Sequence, residues 1–256
     1  PISVIIAGTM TSSSEAVVRI QDVRKCYGTR TVLDGVTLDV SAGECFGLVG
    51  INGAGKTTLL KCLLDFARAD AGTLTLFGCS SLEPEARAQL ACLPERFVPP
   101  YYLSGADFLD YMGQLHGVAR DPAQRLLLLK AVDLDAVALE RPVRQLSKGM
   151  AQKLGLLACL QSGKPLLVLD EPMSGLDPKA RAAVKHYLLE LRDTGRTVFF
   201  STHLLHDAEV LCDRLAILHG GRVAFVGSPA ECCQRFSAPD LEAAYLRCVG
   251  NGGKSN

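Results

Sequence analysis

Apolar and polar residues alternate from Val17 to Tyr27 and again from Val36 to Val40. That is the period of half-buried strands, and both stretches are predicted to pair antiparallel. After the Ser41–Gly43 turn, Cys45–Val49 is a short apolar run that predicts a buried strand. Leu59, Leu60, Leu63 and Leu64 then recur at helical spacing, so Gly50–Thr58 lies between a strand and a helix. Thr73–Phe77, bounded by Gly72 and Gly78, predicts a further strand.

Between Glu95 and Pro165 the pattern turns mainly helical. Ser104 and Asp107 form a capping-box signature for a helix that carries Phe108, Leu109, Met112 and Leu115 and ends at Gly117. A second helix is predicted from Pro122 to about Val132, around the Leu126–Leu129 run. A third follows Ser147, with Met150, Ala151, Leu154, Leu157 and Ala158 on one face. The apolar residues of these helices are read as core.

Pro165–Leu169 is continuously apolar, as for a parallel strand covered on both faces, and it ends abruptly in Asp170-Glu171. A turn at Ser174–Pro178 opens an amphipathic helix with Ala180, Ala183, Val184, Tyr187, Leu188 and Leu191 on its stripe and His186 on the surface. Thr197–Phe200 predicts a buried strand that ends in Ser201-Thr202-His203. Leu215–Leu218 and Arg222–Val226 flank Gly220-Gly221 as a hairpin. The tail beyond Phe236 begins helical and is expected to fray from Gly250.

Composition narrows the class. The chain has 256 residues, room for a large domain or a domain with a smaller lobe. Lys plus Arg and Asp plus Glu each number 27, a net charge of zero, so no nucleic-acid partner is expected. Ten cysteines are scattered without a C-x-x-C, several within apolar runs, which reads as reduced, mostly buried thiols of a cytosolic protein. No apolar run approaches the roughly 18 to 20 residues that span a bilayer, so a chain soluble by itself is expected, able to dock on a membrane protein. Pro1–Gly8 is apolar but short and lacks a basic leader, which argues against a secretory signal. Residues 1–14 are read as a leader, its part before a native start at Met10 foreign to the native chain.

The chemistry concentrates in Gly50–Thr58, which fits G-x-x-x-x-G-K-[ST]. Glycines at 50, 53 and 55 are expected at positive φ, letting the backbone N–H groups of Asn52, Gly53, Ala54 and Gly55 curl around a phosphate at a helix N-terminus. Lys56 reaches the outer phosphates, the Thr57 hydroxyl is placed for Mg²⁺, and Thr58 completes the loop. The rival dinucleotide pattern from Gly53 fails because position 58 is Thr. Adjacent carboxylates at the end of a buried strand require partners; in a phosphate-loop protein Asp170 would hold Mg²⁺ and Glu171 would orient or deprotonate water. His203 lies at the same end if the strands run parallel, where it would meet a γ-phosphate. Tyr27 reads either as a purine-stacking aromatic or as an ordinary strand-end residue. Ser147 reads as a helix N-cap or, with Gly149, as a second phosphate site.

In this order the motifs resemble the nucleotide-binding subunit of an ABC transporter, over about Val17 to Pro229. Gly50–Thr58 is similar to Walker A, Leu166–Glu171 to Walker B, Leu146–Met150 to the signature and Ser174–Asp177 to the D-loop. His203 resembles the switch histidine and Tyr27 the adenine-stacking aromatic. The resemblance implies an α/β phosphate-loop fold of ABC type: a mostly parallel core sheet, an antiparallel β subdomain and an inserted helical lobe. Residues 15–94 and 166–236 would form the core, 95–165 the lobe with the signature, and 237–256 a tail.

It further implies a homodimer or heterodimer, head to tail around two ATP with Mg²⁺. Ser147 and Gly149 of one subunit would face the nucleotide held by Lys56 of the other. Glu171 would be the general base and His203 the γ-phosphate sensor. Two departures stand out: Glu95 occupies the place of a family glutamine, and Lys148 that of a signature glycine. Glu95 can accept bonds or approach Mg²⁺ but cannot donate; Lys148 is either solvated or a cation near the partner's nucleotide. Both variations resemble ATPases of exporters with separate permeases. The expectation is therefore an ATPase on the inner face of the cell membrane, contacting an integral permease near Glu95–Tyr102. The alternative is a soluble ABC-type ATPase acting on ribosomes or DNA. A third reading, a regulatory subunit with little turnover, is disfavoured by Lys56, Asp170, Glu171 and His203 occurring together.

Overall fold

The computed structural model describes residues 16–251. The leader reading of residues 1–14 and the tail beyond 251 lie outside the described residues. In chain order the elements are β1 (Ala16–Tyr27), β2 (Arg30–Ser41), β3 (Cys45–Val49), α1 (Lys56–Leu63), β4 (Ala71–Leu76), β5 (Cys79–Ser80), α2 (Pro84–Arg87) and β6 (Leu90–Leu93). Then come α3 (Gly105–His116), α4 (Pro122–Ala131), two 3-10 turns, α5 (Lys148–Gln161), β7 (Leu166–Asp170), α6 (Pro178–Asp193) and β8 (Thr197–Thr202). The chain ends with α7 (Leu205–Leu211), β9 (Arg214–His219), β10 (Arg222–Gly227), α8 (Pro229–Arg235) and α9 (Leu241–Asn251).

Two sheets carry the architecture. The first is antiparallel, in the order β2-β1-β4-β5; the second has the order β10-β9-β3-β8-β7-β6 and is parallel except for β10 at its edge. Strand β2 begins well before the alternation at Val36, because the Gly28-Thr29 turn sets Arg30 opposite Tyr27 and zips the hairpin from its tip. The short strand β6, hidden between α2 and Pro94, adds in parallel to β7 and forms the far edge of the second sheet.

The parallel strands sort their side chains by parity. Cys45 and Val49 of β3, Leu167 and Leu169 of β7, and Val198 and Phe200 of β8 join one apolar cluster with α3, α5, α6 and α9. Phe46, Leu48, Leu166, Val168 and Phe199 point the other way, into a cluster with α1 and the antiparallel sheet. Both faces of the sheet are thereby covered, which is what continuous apolar strands require. Phe46 and Phe199 meet edge to face at 5.7 Å between centroids.

Helix termini follow local rules. The Ser104–Asp107 capping box forms, Asp121 caps α4, Asp177 caps α6, and α3 stops at Gly117 with φ 70°. Helix α5 departs from the expectation of a single apolar face: every residue from Gln152 to Gln161 is buried. It lies between the sheet and α3 and α4, so its polar side chains need internal partners. Gln161 Nε2 donates to Leu109 O at 2.9 Å and Lys153 Nζ to Asp133 O at 2.7 Å. Gly250 lies within α9, and the rest of the stretch expected to fray, beyond 251, lies outside the described residues.

Candidate functional site

The phosphate-loop sequence sits between β3 and α1, as its mechanism requires. Gly53 and Gly55 take positive φ, 83° and 111°. Gly50 does not; the expectation for it is corrected. A Cβ there would lie 2.5 Å from Leu218 O of β9, so glycine is required by the close approach of a neighbouring strand. Gly55 is the N-cap of α1 and offers no side-chain cap, which leaves the first-turn amides of the helix open to an anion. Lys56 folds back over the loop: its Nζ donates to Gly50 O at 2.7 Å, and the side chain is only 6% exposed.

Adjacent parallel strands deliver the other half of the site. Strands β7 and β8 pair with Asp170 opposite Ser201, which puts Glu171 and His203 at the same end of the sheet. Ser201 Oγ donates to Asp170 Oδ1 and accepts the Glu171 N–H at 3.0 Å, so one buried hydroxyl fixes both carboxylate residues. Glu171 holds φ 50°, an uncommon conformation for a side chain of its size. Its Oε2 is 2.9 Å from His203 Nδ1 and its Oε1 is 3.3 Å from Lys56 Nζ. That Oε1 is fully buried and makes no hydrogen bond of good geometry.

Lys56 and Glu171 line a cleft of about 450 Å³ together with Tyr27, Asn52, Gly53, Gly55, Thr57, Thr58 and Glu95, and His203 joins it only through its contact with Glu171. Ala54 is buried behind the loop. A smaller adjoining cleft of about 220 Å³ brings Thr57, Glu95 and Asp170 together. One hydroxyl and two carboxylates form the hard oxygen set that suits Mg²⁺.

A profile of the ABC transporter family matches residues 33–174, more than half of the chain. The chain belongs to the ABC transporter family. An ABC transporter ATP-binding protein of Synechocystis sp. is 42% identical over 77% of this chain, which spans 56% of that relative's length. The Nod factor export ATP-binding protein I of Paraburkholderia xenovorans is 38% identical over 84% of this chain and 72% of its own. A solved structure described as the ATP binding subunit of an ABC transporter superposes with a TM-score of 0.82 at 30% identity, covering 91% of this chain and 99% of that one. The dimeric structure of a post-hydrolysis cassette bound to ADP and Pi shares the fold, with a TM-score of 0.74 at 22% identity over 82% and 98% of the two chains. This protein is thus an ABC-type ATPase cassette, a nucleotide-binding subunit of the transporter family.

Within the cassette, the signature residues stand apart from the cleft. Ser147 caps α5 through the Met150 N–H at 3.2 Å and is exposed; neither it nor Gly149 lines the cleft that holds Lys56. Gly149 packs so close to the next motif that a Cβ would lie 3.0 Å from Gly175 O. The stem of Lys148 runs over Gly175, within 3.8 Å of where a Cβ of that glycine would stand, and its head is exposed.

Sequence reasoning missed Arg30 and Val32, both of which line the nucleotide cleft. Arg30 pairs directly with Tyr27 across the hairpin. The Gly28-Thr29 turn was the available signal, since a two-residue connection makes its flanking residues neighbours. Among the described residues, no helix is long and apolar enough to cross a membrane.

Proposed function

We propose that this cassette hydrolyses ATP as one half of a head-to-tail dimer and drives export through a separate membrane permease. The observation that carries the reading is Glu171 reaching both Lys56 and His203 through its two carboxylate oxygens, beside the uncapped first turn of α1. In this scheme the loop amides and Lys56 bind the phosphates of ATP. Lys56 then turns from the Gly50 carbonyl toward the outer phosphates, and Glu171 becomes free to take the proton of the attacking water. His203, held by Glu171, reaches the γ-phosphate. Thr57, Asp170 and Glu95 would hold Mg²⁺, which supplies charge neutralisation on the phosphates. Ser147 and Gly149 would close the partner's site; both lie outside this chain's own cleft, with Ser147 exposed, as such a role needs.

Two further features support the transport reading. Val98, Tyr101 and Tyr102 are 84%, 67% and 71% exposed and follow Glu95 directly, an apolar surface suited to a permease loop. The relatives named for Nod factor export favour outward transport.

Glu171→Gln tests the catalytic assignment. The variant should bind ATP, lose turnover by at least about a hundredfold and accumulate as a dimer in sedimentation, since a base contributes on that order. Turnover at the parental rate would remove Glu171 from the role. Co-purification of a membrane protein that is lost on replacing Tyr101 and Tyr102 with serine tests the docking surface.

A further inference from the structure

Strand β1 runs off the edge of one of its neighbours before it reaches Tyr27. Pairing with β4 stops at Arg24 opposite Ala71, whereas pairing with β2 continues through Lys25, Cys26 and Tyr27. On the β4 side the overhang is held by Asp70. The Asp70 N–H donates to Arg24 O at 2.9 Å, and its Oδ2 accepts the Cys26 N–H at 2.6 Å, where a strand carbonyl would otherwise sit. Its Oδ1 accepts a bond from Lys25 Nζ at 2.8 Å.

Lys25 and Tyr27 are two residues apart in a strand and so share a face. The Lys25 ammonium stands over the Tyr27 ring, 5.3 Å from its centroid. The one ammonium of Lys25 thereby bridges the Asp70 carboxylate and the ring. Tyr27 itself is half exposed and lines the nucleotide cleft. An exposed ring at a hairpin tip would otherwise sample several rotamers.

We propose that Asp70 and Lys25 are positioning residues for the base of the nucleotide: together they hold the Tyr27 ring with a cation on one face and the other free to stack on a purine. The inference rests on the reading of Tyr27 as the base platform. Its physical content is twofold. The tether lowers the entropy lost when the ring is ordered against the base. A cation over one face also draws π-density from the ring, which favours stacking of an electron-rich purine on the other. Neither effect touches the phosphates.

The chain has no tryptophan, so Tyr27→Trp installs a single fluorescent reporter. In this background ATP should quench the emission and inorganic tripolyphosphate, which has no base, should not. Adding Asp70→Ala or Lys25→Met should raise the ATP midpoint about fivefold, the size of an exposed cation–π contact with its ordering. Tripolyphosphate affinity, read by competition, should stay at the parental value. Lys25→Arg should restore the ATP midpoint. Asp70→Asn, which keeps an acceptor for the Cys26 N–H without the charge, should fall between.

Parental ATP midpoints in Asp70→Ala and Lys25→Met would overturn the proposal. So would equal weakening of ATP and tripolyphosphate, which would mark a general structural role. Absence of any ATP quench in Tyr27→Trp alone would overturn the base-platform reading and the inference with it, a failure visible before Asp70 or Lys25 is changed.

Discussion

At the scale of single residues, the site depends on groups whose partners come from distant parts of the chain. Ser201 is the clearest case. Its hydroxyl serves Asp170 and the Glu171 N–H at once, in a fully buried position. Ser201→Ala would leave a buried N–H and a carboxylate oxygen without that partner, so urea unfolding should show a loss of about 1–3 kcal/mol. Turnover should fall more than ATP affinity, because Glu171 is the residue released. Asp170, Glu171, Lys56 and His203 were each legible from residue type and place in a motif. Their mutual distances were not, since Ser201 carries no signal in a sequence until strand register sets it opposite Asp170. Glycine 50 teaches the same lesson: its identity is legible, but its reason is the Leu218 carbonyl of another strand.

At the scale of elements, local chemistry was the reliable guide. Caps at Ser104, Asp121, Ser147 and Asp177 stand where side chains able to accept a backbone N–H precede an apolar period. Asp177 illustrates the consequence for pH. The Ala180 N–H bond to its carboxylate is the main cause holding it below the ordinary carboxylate range. A depressed folded value contributes stability above the unfolded pKa of about 4, and that stability is lost as pH falls through the depressed value. Asp177→Ala should therefore lower the melting temperature at pH 7, with the difference shrinking below pH 4; calorimetry at the two ends checks it. Elements without such signals, β6 among them, escaped prediction because four residues carry too little periodicity. The burial of α5 on all sides escaped for a different reason: an apolar stripe says which face is buried first, not how many layers cover the rest.

At the scale of the whole molecule, a parallel sheet between two apolar clusters sets which groups solvent can reach. The ten thiols divide accordingly: Cys26 and Cys79 are exposed, Cys92 and Cys233 intermediate, and the remaining six buried. Burial pushes the Cys45 thiol up to about 12, so it stays protonated and unreactive in the folded protein. A thiol reagent at neutral pH should label Cys26 and Cys79 rapidly and the six buried cysteines only on unfolding. Rapid reaction of more than four would contradict this packing.

The sequence by itself determined the family, the α/β class, the phosphate loop, the carboxylate pair and the histidine, because each is written in contiguous residues with a fixed local mechanism. Tertiary structure decided what those residues touch. Only strand order brought Glu171 between Lys56 and His203, only the overhang of β1 gave Asp70 its hold on Cys26, and only the hairpin turn set Arg30 beside Tyr27. The physical reason is range: periodicity and capping are set within a few residues, whereas a site of buried charges is assembled by pairing between segments far apart in the chain.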